Sequence, residues 1–470
     1  MTNPTTDFAL KNNTDSSEAF AYITGLDLNR DNTPVFIQAD GKTTYHPASP
    51  AEPQSPLQAD VAIPLGAPGT TTRVTIPHIA GGRVWFSVGA RLNFLLNPGP
   101  AVVEPSVTNP SDPSYGVAWG FCEFTYNQQQ LFVNISYVDF VPPHPIALEL
   151  RNTDGATQTV RGMGRGGLAA VCDELARQGA ADGAGWEQLV VRGADGAALR
   201  ALSPNSGRVL RPGLFDGYFD AYVDAVWERY RGADLTINTQ AAWGDVAGRV
   251  AADGLLTFAG AGAFAKPSAG DIFSCSTGPF GNYPPAQREQ MGALGARLAA
   301  AFNRSTLLAN DRQPDGERVA AYYAASPTNH YARIVHAANL DGRGYAFPYD
   351  DVVPSGGTAG PDQAGTVFDG SPELLTITLG GPADGDNGGG NGGDGGSGGG
   401  NGGDSGNGGG NGGDGGSGGG NGGNGGNGGD GGNGGTPDKG DGGDGGDDET
   451  PGCLDGLKSL FEKLRQLLKL

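Results

Sequence analysis

The feature that most constrains this chain is a break in composition near residue 380. From 381 to 452 it runs as Asn-Gly-Gly, Asp-Gly-Gly and Ser-Gly repeats, which explains a glycine count of 85. Such a segment has almost nothing apolar to bury, so it cannot offset the entropy of ordering itself. It reads as a flexible, weakly acidic linker. The folded part must come from the residues before it, which are enough for a large core. Roughly half of the formal net charge of -21 sits in the linker. No basic face of the kind that tracks phosphates is visible, so no nucleic-acid partner is expected.

Before the break, short apolar runs such as Ala19–Ile23, Val35–Ile37 and Val84–Val88 are separated by Gly, Pro, Asn and Asp. That spacing predicts a β-sandwich or barrel. The middle of the chain changes character. Leu168, Val171, Cys172 and Leu175 fall at helical spacing, as do Phe219, Tyr222, Val223, Val226, Trp227 and Tyr230, and again Met291, Leu294, Leu298 and Phe302. Strand-like runs at 188–192 and 234–238 lie between them, and 374–379 is β again. The expected fold class is mainly β with an α/β part. A β domain over 7–150 together with 329–380 is interrupted by a mixed α/β segment over 151–328.

After the linker, residues 453–470 place Leu454, Leu457, Phe461, Leu464 and Leu468 on one helical face, with Lys458, Lys463, Arg465 and Lys469 elsewhere. This predicts a basic amphipathic helix. Self-association, contact with a membrane surface and docking onto the folded part are all open; the long linker favours the first two.

The stretch that carries chemistry is Gly120-Phe121-Cys122-Glu123-Phe124-Thr125-Tyr126-Asn127, followed after a polar turn by Ser136-Tyr137-Val138-Asp139-Phe140. Both segments read as strands. On the first, Cys122, Phe124 and Tyr126 should face the core, while Glu123, Thr125 and Asn127 face outward. Two carboxyls held on strands beside a groove can serve as proton donor and base on a glycosidic bond. A straight hairpin would offset Glu123 and Asp139 by about 13–17 Å at strand rise, so strong twist, a bulge or placement on non-neighbouring strands is needed to bring them together. Trp119 and Tyr115 could stack on sugar rings or belong to the core.

This pair resembles the acidic-cleft strands of thaumatin-like proteins. A larger set of blocks resembles glycoside hydrolase family 64, the β-1,3-glucanases with a thaumatin-like core. They include Thr24-Gly25-Leu26-Asp27, Glu104-Pro105-Ser106-Val107-Thr108-Asn109-Pro110, Phe273-Ser274-Cys275-Ser276-Thr277-Gly278-Pro279-Phe280, and 328–336 with 341–351. The likeness spans about residues 7 to 380 and stops before the linker. It implies a thaumatin-like barrel with an inserted domain and a wide groove between them. It also implies Glu123 as proton donor and Asp139 as general base in an inverting reaction. Inversion needs the two carboxyls about 6.5–9.5 Å apart. Thr125, Asn127 and Trp119 become candidate substrate contacts, and Glu123 needs partial burial to hold its proton.

The implied partner is β-1,3-glucan, cut to short laminari-oligosaccharides such as the pentaose; a non-catalytic glucan-binding or antifungal protein is the alternative. Neither a cofactor nor a metal is expected. Asp350-Asp351 resembles the terminal Asp-Asp of thaumatin-like chains, to brace a loop or to touch substrate. Cys172 and Cys275 could pair or stay free, whereas Cys122 should be a buried thiol. The resemblance implies an extracellular protein, although the start at Met1 has neither the basic nor the apolar run of a signal peptide. The sequons at Asn12, Asn134 and Asn303 are weak signs of a secretory route.

Overall fold

A computed structural model describes residues 1–355 and 362–381. The linker from 382 on, Cys453 and the helix expected over 453–470 lie outside the described residues. The architecture is mostly β-sheet with helices added.

Two sheets dominate, and their strands are labelled in chain order: β1 (Thr5–Asn12), β2 (Ala19–Asp27), β3 (Thr33–Ile37), β4 (Thr44–Tyr45), β5 (Thr71–Pro77), β6 (Ile79–Val88), β7 (Ala118–Tyr126), β8 (Leu131–Ile135), β9 (Ile146–Asn152), β10 (Thr157–Val160), β11 (Thr366–Asp369) and β12 (Pro372–Leu379). The first sheet runs β10-β9-β12-β1-β5, and the second runs β11-β8-β7-β6-β2-β3-β4 with a short Ile63–Pro64 strand also on β2. Within these sheets only β1 and β12 pair in parallel, with Phe8 opposite Leu375 and Leu10 opposite Ile377.

The sheets meet through alternating side chains. Phe8, Leu10, Val74, Ile76, Leu148 and Ile377 of the first pack with Ile23, Val84, Phe86, Cys122, Phe124 and Tyr126 of the second. Phe8 and Phe124 touch edge to face at 5.3 Å. Each such aromatic contributes roughly 1.5–3 kcal/mol by leaving water. Phe124 also explains Gly82, its partner on β6: a Cβ there would lie 2.4 Å from the Phe124 ring.

The second sheet is covered on its other face as well. Tyr22, Phe36, Trp85, Phe94, Trp119, Phe121 and Phe140 form a separate apolar cluster there. Both faces of β7 are therefore largely dry.

The helices are α1 (Gly167–Asp182), α2 (Pro204–Leu210), α3 (Asp220–Gly232), α4 (Ala269–Ser274), α5 (Arg288–Arg304) and α6 (His330–Ala338). Gly183 ends α1 in the left-handed region at φ 69°, a conformation that costs glycine little. Ser268 and Asp271 form a reciprocal capping box at the start of α4. A three-stranded sheet joins Phe140–Val141 to Ala198–Leu202 and Val190–Arg192, and a five-stranded sheet centres on Asp245–Val250. The run at 188–192 is only partly a strand: Trp186–Leu189 is a 3-10 turn and pairing begins at Val190.

Three points that the sequence left open are decided. Cys172 and Cys275 are free buried thiols rather than a bridge, like Cys122. The sequon asparagines Asn12, Asn134 and Asn303 are all buried, so none of them is open to glycosylation in the folded protein. No bulge interrupts the β7–β8 hairpin; the irregularity of β7 lies on its β6 side, between Phe124 and Tyr126. Among the described residues, no helix is long and apolar enough to cross a membrane, and no cluster of metal-ligating side chains occurs.

Candidate active site

β7 sits between β6 and β8, and its register fixes what surrounds Glu123. Arg83 lies directly opposite on β6 and Asn134 directly opposite on β8. Glu123 therefore stands at the margin of the outer aromatic cluster, next to Phe121 along its own strand. Its side chain keeps 22% of its exposure, against 3% for Arg83. The Arg83 guanidinium lies over the rings of Trp85 and Phe121, at 5.4 and 5.1 Å. Its Nε and Nη2 both reach the same oxygen of Glu123, each at 3.4 Å. Its Nη1 donates to Glu104 Oε2. One buried cation is thus shared by two carboxyls.

Asp139 enters from another direction. The β7–β8 register would place it opposite Ala118, five residues along from Glu123. The chain avoids that path by leaving the ladder after Ile135. Ser136 bridges to Tyr345, Tyr137 N–H donates to Tyr345 O at 2.7 Å, and Tyr345 N–H donates to Ile135 O at 3.0 Å. The 342–345 segment acts as a strap. Gly344 makes it fit, because a Cβ there would lie 2.5 Å from the Tyr137 ring. From α6, Tyr331 Oη donates to Tyr137 O at 2.7 Å. Residues 138 and 139 then bend, and Ser203 N–H holds Asp139 O at 2.9 Å. Asp139 is thus carried on a bent, strapped segment rather than along the β7–β8 ladder.

The electrostatics follow from this arrangement. Burial pushes the Glu123 carboxyl above the ordinary glutamate range; Arg83 opposes the rise, Asp139 adds to it, and a hydrogen bond with Ser136 opposes it. Burial raises Glu104 in the same way, against Arg83 and with Asp139. Asp139 thus acts on both carboxyls that meet at Arg83. Tyr345 adds a further link. Its phenol donates to Asp351 Oδ1 at 2.9 Å, and its own ionisation is driven far upward by burial and by Asp351, Asp350 and Glu123.

The other expected site residues divide. Thr125 lies one position beyond Glu123 on the same face; it is buried, and its Oγ1 has no protein partner. Asn127 is also buried, and its Oδ1 accepts the N–H groups of Gln129 and Gln130, closing the turn into β8. Trp119 is corrected from sugar platform to core. Its ring is 2% exposed, packs on Trp85 and Phe140, and donates Nε1–H to Ser114 O. Tyr115 is half-buried beneath Arg200. Asp350 is a brace, fully buried against Arg304 and His336, whereas Asp351 reaches toward the site through Tyr345.

Sequence reasoning missed Arg83 and Glu104 as site residues, although Glu104 opens one of the blocks that carried the resemblance. It also missed an aromatic pair. Phe132 lies opposite both Thr125 and Phe368, so the three share the face of Glu123. The two rings stack at 6.4 Å and 23°, and Phe368 is 53% exposed.

A family model described as beta-1,3-glucanase, glycoside hydrolase family 64, matches residues 4–379. The chain belongs to this family. Two curated relatives are the glucan endo-1,3-beta-glucosidases of Cellulosimicrobium cellulans and of an Arthrobacter strain, each 30% identical over 312 residues, or 65% of this chain and 53% of theirs. The chain thus spans about half the length of the curated relatives it matches. Among solved structures, a laminaripentaose-producing beta-1,3-glucanase in complex with laminaritetraose is 32% identical with a TM-score of 0.68, over 80% of this chain and 99% of that one. The family 64 domain from Clostridium beijerinckii, 21% identical, has a TM-score of 0.59 over 80% of this chain and 98% of its own, and shares the fold.

Proposed function

We propose that this family 64 chain hydrolyses β-1,3-glucan, with Glu123 as proton donor and Asp139 as general base. Glu123 gives its proton to the glycosidic oxygen while Asp139 takes one from a water molecule. That water attacks the anomeric carbon from the opposite face, the bond to the leaving sugar breaks, and configuration inverts. The observation that carries the reading is the raised carboxyl of Glu123 under the field of Asp139, a carboxylate delivered by a separate, strapped segment. An acid whose proton is favoured by burial, beside a second carboxyl, is the division of labour such chemistry requires.

The same reading makes the sandwich a thaumatin-like core and 151–328 an insertion that walls the groove. The buried Thr125 and Asn127 support the strand and its turn rather than the sugar, and the Phe132–Phe368 pair is a platform for a pyranose ring. The products are short laminari-oligosaccharides such as the pentaose, as for the 32%-identical laminaripentaose-producing relative. A polymer too large to enter a cell places the activity outside it. The 453–470 segment serves self-association or surface contact.

The deciding experiment incubates the full chain with a linear β-1,3-glucan and measures soluble oligosaccharide and the anomeric form first released. Release of the inverted anomer, lost in Glu123→Gln with glucan binding retained, is the expected result. Binding without release in the parent protein would select a glucan-binding protein instead.

A further inference from the structure

Arg83 poses a problem for the site. It faces Glu123 across the ladder, and a guanidinium beside a carboxyl favours the ionised form, commonly by one to three pKa units. A proton donor has to resist that pull. The geometry shows how Arg83 is kept from closing on Glu123. A full fork would match two N–H groups to two carboxylate oxygens. Here Nε and Nη2 converge on one oxygen at 3.4 Å, longer than a strong charged hydrogen bond. The third corner, Nη1, is drawn to Glu104 Oε2. Trp85 and Phe121 hold the guanidinium plane from the side.

We propose that Glu104 is a positioning residue for the reaction: by taking the close contact with Arg83, it neutralises and orients that cation so that Glu123 remains a proton donor. The proposal rests on Glu123 being the acid of the proposed function. The charged and titratable groups that face Glu123 are Arg83 from β6, Glu104 through Arg83, Asp139 from the segment after β8, and Tyr345 with Asp351 from the strap; Ser136 adds a neutral hydroxyl. Only Arg83 among these is positive. Removing the negative charge of Glu104 takes a close counter-charge from the cation, and the proton on Glu123 is held less firmly.

The test is the pH profile of kcat/KM on a soluble β-1,3-glucan for the full chain, together with an NMR titration of 13C-labelled glutamate side chains. The Glu123 signal is the one missing from Glu123→Gln. In Glu104→Gln and in Glu104→Ala, the alkaline limb and the Glu123 titration should both move down by about one pH unit. Activity above the limb then falls about tenfold, with KM nearly unchanged. Glu104→Asp keeps the charge and should hold both near the parent values.

Unmoved limbs and titrations in all three variants would overturn the proposal. So would an Asp variant that shifts as far as the Gln variant, since packing rather than charge would then be the cause. A parent chain that releases no sugar refutes the proposed function, yet the titration still decides whether Glu104 governs the proton on Glu123.

Discussion

Arg83 and Glu123 occupy directly paired positions on β6 and β7, yet Nε and Nη2 of the guanidinium converge on one and the same oxygen of Glu123, each at 3.4 Å. The pair is too loose to lock Glu123 in its ionised form and close enough to restrain the rise that burial imposes. An acid tuned in this way has consequences that can be measured.

Glu123→Gln removes the proton donor while keeping shape. Hydrolysis should fall by about 10²–10⁴-fold, the usual size of a general-acid contribution. Glucan affinity, measured by co-sedimentation with insoluble β-1,3-glucan, should stay within a few-fold of the parent.

The alkaline limb of kcat/KM should lie above the ordinary glutamate range, because burial raises Glu123 and only the protonated form gives a proton. Arg83→Met takes away the one cation that opposes the rise, so the limb should move further up. It also takes the cation from two partly buried carboxyls, so the fold should lose stability. Thermal denaturation at pH 5 and pH 8 checks the sign. A carboxyl raised in the folded state gives stability that is complete below its unfolded pKa and lost as pH climbs through the folded one. The Met variant should therefore lose more at pH 8.

Phe132→Ala and Phe368→Ala should each raise KM for long glucans about tenfold, equivalent to about 1.4 kcal/mol, with kcat nearly unchanged. Both rings lie on the Glu123 face, yet neither bears a group that reacts. Initial-rate kinetics on laminari-oligosaccharides of increasing length measure the effect. An equal loss on the shortest substrate would show damage to the site itself.

Asp350→Asn should destabilise the fold by about 3–5 kcal/mol. Asp350 Oδ1 lies 3.2 Å from Arg304 Nη2 and its Oδ2 lies 3.1 Å from His336, and Ala346 N–H donates to it at 2.9 Å. Burial pushes this carboxyl up, but His336, Arg304 and the Ala346 N–H together bring it below the usual value. A depressed carboxyl gives stability that is present above its unfolded pKa and lost as pH falls through the folded one. The parent should therefore lose this contribution only below about pH 4, and acid titration of its melting temperature measures it.

Cys122, Cys172 and Cys275 are buried free thiols. A reducing agent should leave the melting temperature unchanged. A thiol reagent should modify these three only as the protein unfolds.

Much of the fold was legible in the sequence. The runs at 19–23, 35–37, 84–88 and 374–379 are strands, and the three helical stripes became α1, α3 and α5, because each carries apolar residues at the spacing of its own element. The face of β7 on which Glu123 lies was legible by alternation. Trp119 was not, since β7 is covered on both sides and strand parity alone cannot tell a second core from an open groove. Arg83 and Glu104 precede Glu123 by 40 and 19 residues, and only strand register and a loop bring them together. The approach of Asp139 was hidden for a related reason. It depends on Tyr345 and Gly344, two hundred residues away in the chain, closing over Tyr137.

The parallel pairing of β1 with β12 has a consequence for how this molecule is made. β12 lies in the middle of its sheet, between β9 and β1, and it is the last strand of the described residues to leave the ribosome. The first strand must therefore wait, unpaired on one edge, until nearly all of the fold has been synthesised. A truncation that removes residues 372–379 takes out the centre of that sheet rather than trimming its margin.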